Sequence, residues 1–140
     1  IGVDLMVLQV LSAGYQEEKL ENGEERTVLS IPAPLAPVKA AVLPLVKKDG
    51  LPEIAHRIKN TLRYDYNIQY DEKDSIGKRY RRQDAIGTPL CITIDHQSAE
   101  DGTVTVRDRD TMRQERVHIE AIPALVESKA GMRALLDKLA

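Results

Sequence analysis

The sequence predicts a mixed α/β domain, and three observations predict it. Short apolar runs alternate with helical patterns between residues 38 and 94, residues 102–119 alternate at period two on either side of a charged tip, and an apolar helical pattern closes the chain. At 140 residues, 42% hydrophobic and 30% charged, the chain is long enough to bury one core. The order strand, helix, strand, helix, strand, hairpin, helix gives a sheet whose first strands are parallel and whose last pair includes an antiparallel partner.

Taken in order, residues 3–11 form an apolar stretch dense enough for a mostly buried helix. Residues 17–27, with the turn pair Asn22-Gly23, read as a solvated excursion, and Pro32, Pro34 and Pro37 as an extended linker. A domain boundary is expected near residues 32–36, separating 1–34 from 35–140. Residues 38–43 are a buried strand ended by Pro44. Asp49-Gly50 marks a turn, Pro52 suits a first helical turn, and Leu51, Ile54, Ala55, Ile58 and Leu62 recur at helical spacing. Tyr66, Ile68 and Tyr70 alternate with polar residues as in a half-buried strand. Ser75 can cap a helix running to Ile86, Gly87 can end it in a left-handed conformation, and Pro89 stops any continuation. Residues 90–94 are a third apolar strand. Val104 and Val106, then Val117 and Ile119, alternate with polar residues, which predicts a hairpin with a charged tip. Leu125, Val126, Met132, Leu135, Leu136 and Leu139 predict the closing helix from Pro123 onward.

Composition excludes several classes. No apolar run approaches the roughly 18 residues of a membrane-spanning helix, and residues 1–20 lack the basic flank and cleavage pattern of a signal peptide, so a cytoplasmic protein is expected. The single cysteine, Cys91, rules out an internal disulfide framework and any multi-cysteine zinc site, and its apolar neighbours make it a small buried hydrophobe. The net charge of −2 hides an uneven layout: residues 1–34 carry six acids against two bases, leaving the remainder positive. No His-x-x-x-His or Cys-x-x-Cys spacing offers a metal site, no glycine-rich phosphate loop appears, and His56, His96 and His118 stand on a helix, in a loop and on a strand's polar face without a recognisable motif.

Two basic groups remain. Lys78-Arg79-Tyr80-Arg81-Arg82 puts four cations in five residues, either facing phosphate or forming a solvated helix beside Asp74 and Asp84, with Tyr80 either a core residue or a stacking platform. Arg107-Asp108-Arg109-Asp110-Thr111-Met112-Arg113 puts alternating charges on the hairpin. There arginine can fork onto guanine or phosphate and aspartate can accept from the amine of cytosine; alternatively the set is an internal ladder of ion pairs.

The run Ser75-Ile76-Gly77-Lys78-Arg79-Tyr80-Arg81-Arg82-Gln83-Asp84-Ala85-Ile86-Gly87-Thr88-Pro89 closely resembles the helix-to-strand passage of homodimeric class II glycyl-tRNA synthetases. Thr103-Val104-Thr105-Val106-Arg107-Asp108-Arg109-Asp110-Thr111-Met112 resembles the hairpin of the same family, and Asp49-Gly50-Leu51-Pro52-Glu53-Ile54-Ala55 is a third local match. The resemblance extends over roughly residues 1–138. Ala85 stands where the family has an acid and Leu90 where an aromatic residue is usual. Gly2-Val3-Asp4 looks like the start of class II motif 3, whose next residue is an arginine that binds the ATP phosphates; here it is Leu5.

This resemblance implies a five-stranded mixed sheet with three helices, an anticodon-binding domain at 35–140, and a motif 3 helix and linker at 1–34. It implies that the full enzyme is a homodimer that activates glycine with ATP and magnesium and charges glycine tRNA. This segment, lacking motifs 1 and 2, is expected to bind tRNA without catalysing and to hold no metal or cofactor of its own. Neither DNA nor a membrane is an expected partner. Glycine anticodons share two cytosines. Arg107, Asp108, Arg109 and Arg113 are expected near those bases, Lys78, Arg79 and Arg82 on backbone phosphates, and Gly2 and Asp4 at the ATP site. The competing expectation is a synthetase-derived accessory subunit without catalysis, to which Leu5 lends its support.

Overall fold

The computed structural model describes residues 2–20, 25–133 and 136. It opens with α1 (Gly2–Gly14), followed by an antiparallel pair, β1 (Tyr15–Lys19) and β2 (Glu25–Leu29). The main body then runs β3 (Ala40–Pro44), α2 (Leu51–Leu62), β4 (Ile68–Tyr70), α3 (Ile76–Ile86), β5 (Leu90–Ile94), α4 (His96–Asp101), β6 (Thr103–Asp108), β7 (Gln114–His118) and α5 (Ile122–Ala130).

Five strands form one sheet in the order β4-β3-β5-β6-β7. β3 lies parallel to both β4 and β5, while β5–β6 and β6–β7 are antiparallel, as the element order predicts. The central strands β3 and β5 are buried at every position, which is why each reads as an uninterrupted apolar run. Their alternate residues divide between two faces. Ala40, Val42, Leu90, Ile92 and Ile94 join Leu51, Ala55, Ile58 and Leu62 of α2 and Ile122 and Val126 of α5 in the larger core. Ala41, Leu43 and Cys91 meet Ile76 and Tyr80 of α3 on the opposite face.

Local chemistry sets the helix ends. The Ser75 hydroxyl accepts the Lys78 amide at the start of α3, and Gly87 closes it at φ 82°. Its left-handed backbone favours glycine, and a Cβ there would stand 2.9 Å from the Leu29 carbonyl oxygen of β2, so α3 ends where β2 crosses it.

Five expectations need correcting. The solvated excursion at 17–27 is largely a strand pair, because Arg26 and Val28 point inward and are buried; the Asn22-Gly23 turn lies outside the described residues. The proline segment is not an extended linker: Ala33–Leu35 is a 3-10 turn, with Ile31, Ala36 and Val38 buried around it. His96 begins the short helix α4, opened by a capping box between Asp95 and Ser98. The closing helix ends at Ala130, where Gly131 turns extended; of its expected members Leu135 and Leu139 lie outside the described residues. α1, expected to be mostly buried, instead leaves Leu5, Met6, Leu8 and Leu11 exposed, Leu8 by 60%.

Candidate nucleic-acid interface

The β6–β7 hairpin and α5 enclose a cleft of about 230 Å³. Leu90, Val106 and Leu125 give it an apolar floor, and Asp108, Thr111, Arg113, Glu115 and Lys129 form a polar rim. It is smaller than the roughly 300–1,000 Å³ of ordinary small-molecule sites. Leu90, standing where the family usually has an aromatic residue, is part of that floor.

The hairpin tip is held from within. Asp108 Oδ1 accepts the amides of Asp110 and Thr111 at 2.8 and 3.1 Å, and its Oδ2 lies 2.7 Å from Lys129 Nζ on α5. Burial pushes the Asp108 carboxyl up, but the Lys129 ammonium and the two amides outweigh it and hold it below the ordinary carboxylate range. Met112 takes a left-handed conformation at φ 58°, reversing the chain before Arg113, whose exposed guanidinium makes no ion pair among the described residues. Glu115 is exposed on β7.

Arg107 and Arg109 do not reach the cleft. Arg107 is 3% exposed and forks onto Asp84 of α3 at 2.9 and 3.1 Å, with its guanidinium 4.7 Å above the Tyr80 ring. Arg109 donates to the carbonyls of Gly87 and Ile31 at 2.8 and 2.7 Å and to the neighbouring Asp110. Arg107 and Arg109 therefore follow the internal ion-pair alternative, and Tyr80 is a core residue whose hydroxyl meets Thr93 at 2.7 Å. Cys91 is buried beneath this face, and burial pushes its thiol up to about 12, so no thiolate is available near neutral pH.

The α3 cations divide in the same way. Arg79 is 2% exposed and donates to the carbonyls of Pro44, Asp71 and Leu45, locking the ends of β3 and β4. Arg82 is exposed but engaged by Asp71 at 2.7 Å and Asp74 at 2.8 Å. Lys78 is exposed and makes no ion pair among the described residues. Asp71, which holds Arg82, follows β4 at the edge opposite β7, four interstrand steps or about 19 Å away, so Arg82 and the hairpin tip do not converge on one spot.

Asp84 joins these parts. It is fully buried and accepts from Arg26 Nη1 at 3.1 Å and Arg81 Nη1 at 3.0 Å as well as from Arg107. Arg26 also donates to the Arg109 main-chain oxygen at 2.9 Å and to Glu18 at 2.7 Å. Arg26, Glu115, Lys129 and Leu125 were not singled out from the sequence as site residues; only the sheet register and the docking of α5 bring the last three to the cleft.

The anticodon binding domain family matches residues 39–129, which contain the whole sheet and the cleft. The chain belongs to the anticodon binding domain family. Among curated relatives it is 54% identical over 129 residues to a glycine–tRNA ligase of Geobacillus kaustophilus, covering 92% of this chain, and 49% identical over 132 residues to one of Rhodopirellula baltica, covering 91%. The chain spans about a quarter of these relatives' own length, 28% and 25% respectively. Among solved structures, the RNA binding domain of threonyl-tRNA synthetase from Cryptosporidium parvum superposes with a TM-score of 0.64 at 25% identity, covering 71% of this chain and 25% of that one. Prolyl-tRNA synthetase from the same organism gives 0.64 at 19% identity, covering 80% and 32%, a likeness of fold. Both therefore share the fold of this domain.

No group of three or more His, Cys, Asp or Glu side chains able to hold a metal ion occurs among the described residues. Gly2 lies in α1, nothing is described of the Asp4 side chain, and Leu5 beside it is an exposed aliphatic group that cannot neutralise a phosphate. No helix among the described residues is long and apolar enough to cross a membrane.

Proposed function

We propose that the chain is the anticodon-reading module of a glycine–tRNA ligase and grips the anticodon stem-loop of glycine tRNA. The observation that carries this is the cleft between the β6–β7 hairpin and α5, an apolar floor under a charged rim in a chain about half identical to glycine–tRNA ligases. Specific RNA recognition takes splayed bases, sandwiching their faces and reading their edges. Leu90, Val106 and Leu125 offer the apolar face, and Glu115 supplies a carboxylate that can accept from the exocyclic amine of cytosine. Arg113, which lines the cleft, is the hairpin arginine assigned to the bases. Asp108 stays at the rim while fixing the turn, and Arg107 and Arg109 act from behind by holding the hairpin. On the backbone, Lys78 is free to meet phosphate, Arg82 meets it in competition with Asp71 and Asp74, and Arg79 serves the fold.

In the parent enzyme, glycine activation with ATP and magnesium belongs to the part this chain does not span, and a cytoplasmic homodimer is the expected setting. The exposed apolar face of α1 suits burial against that part.

The test is titration with a glycine-tRNA anticodon stem-loop and with a variant whose two anticodon cytosines are replaced, at one fixed salt concentration. Direct readout predicts about 1–3 kcal/mol weaker binding for each lost base contact. Equal binding would reduce the module to a backbone grip, and no binding to either would favour the accessory-subunit reading.

A further inference from the structure

The β1–β2 pair lies outside the matched family segment, yet it is bonded into the base of the recognition hairpin. Arg26 of β2 is 2% exposed, and one of its amino groups serves two acceptors at once, the Asp84 carboxylate and the Arg109 main-chain oxygen. The link is reciprocated: the Arg109 guanidinium reaches past Gly87 to the Ile31 oxygen, just beyond β2. Arg109 also directly follows Asp108, whose carboxylate shapes the tip and holds Lys129 at the cleft rim. A continuous set of bonds therefore runs from β2 through Arg26, Arg109 and Asp108 to the cleft.

We propose that Arg26 is a positioning residue for the anticodon cleft, tying docking of the β1–β2 pair to occupation of the cleft so that each favours the other. This rests on the anticodon reading above. Arg26 can be cut cleanly, because Asp84 keeps its two-pronged bond to Arg107 and its bond to Arg81, while Glu18 is partly exposed and can be solvated. Two sites coupled in this way must show the same factor in both directions.

Amide hydrogen exchange over residues 15–20 and 25–31 tests the coupling, measured in the free chain and in the chain saturated with the cytosine-bearing stem-loop. In the wild type the RNA is expected to slow exchange there about five-fold or more. In Arg26→Met the slowing disappears, and affinity for the cytosine loop falls by no more than that same factor. Arg26→Lys retains the charge but has a single ammonium in place of the fork, and it restores part of both effects; it also carries the test if the methionine variant fails to fold. A wild type that binds the loop without any change in exchange over these residues overturns the proposal, as does an Arg26→Met chain that keeps the full slowing. A wild type that binds neither loop overturns the anticodon reading first and this inference with it.

Discussion

Asp84 is one fully buried negative charge facing the guanidinium groups of Arg26, Arg81 and Arg107. Asp84→Asn keeps the shape and removes the charge, leaving Arg26 and Arg107 buried against a neutral amide. Breaking a buried ion pair from one side costs about 3–5 kcal/mol, and urea unfolding of the two chains is expected to show a loss of that size. A loss below about 1 kcal/mol would mean that water or Glu18 already compensates the arginines. This cluster was only half legible in the sequence. The alternating charges at 107–113 were visible, but base reading and internal pairing produce the same local pattern. The choice is made by Asp84, 23 positions from Arg107 and 58 from Arg26, and contacts at such separations leave no local trace.

Elements were legible where their boundaries are local. α3 was placed to the residue, since the Ser75 cap and the Gly87 terminator both act within one helical turn. Gly87→Ala is expected to cost about 1–2 kcal/mol from the left-handed backbone, and more because its Cβ would meet the Leu29 oxygen at 2.9 Å; thermal unfolding measures the sum. α4 escaped because six residues make too short a periodic pattern, and β2 because a charged Arg26 fills one of its inward positions. The Asp95 cap of α4 permits a pH test. Arg116, the largest cause, lowers its carboxyl to about 2, against the opposing effect of partial burial, with the Ser98 amide and hydroxyl helping. A depressed folded value contributes stability that is present above the unfolded value near 3.8 and is lost as pH falls through about 2. Asp95→Asn retains a capping oxygen, so the wild type is expected to be more stable by about 1 kcal/mol at pH 7, after allowing for solvent screening of a partly exposed pair. That advantage shrinks between pH 4 and pH 2 in urea unfolding followed across the range; an advantage that does not change with pH would assign it to packing instead.

At the scale of the whole molecule, charge placement decides how the proposed interface would hold a stem-loop. The sequence offered six cations for the stem-loop: Lys78, Arg79, Arg82, Arg107, Arg109 and Arg113. The fold turns three of them inward and engages Arg82 with two aspartates, which leaves Lys78 and Arg113 without an ion pair among the described residues. Those two stand on different elements, Lys78 in the first turn of α3 and Arg113 at the tip of the β6–β7 hairpin, as suits a stem-loop touching the domain at two places rather than a single phosphate pocket. Salt dependence counts the phosphates neutralised, with a slope of log affinity against log salt of about −0.7 to −0.9 per contact. Two contacts give a slope of about −1.4 to −1.8, whereas all six would give about −4 to −5. Titration of the stem-loop from low to moderate salt is expected to give the shallow slope. Lys78→Ala is expected to flatten it by about one further contact and to weaken cytosine-bearing and altered loops alike. Arg113→Ala is expected to weaken the cytosine-bearing loop more than the altered one, because its guanidinium lies at the cleft rim. A slope near −4 would mean that the buried arginines are released on binding, and the Asp84 cluster would then be a store of cations opened by RNA rather than a fixed frame.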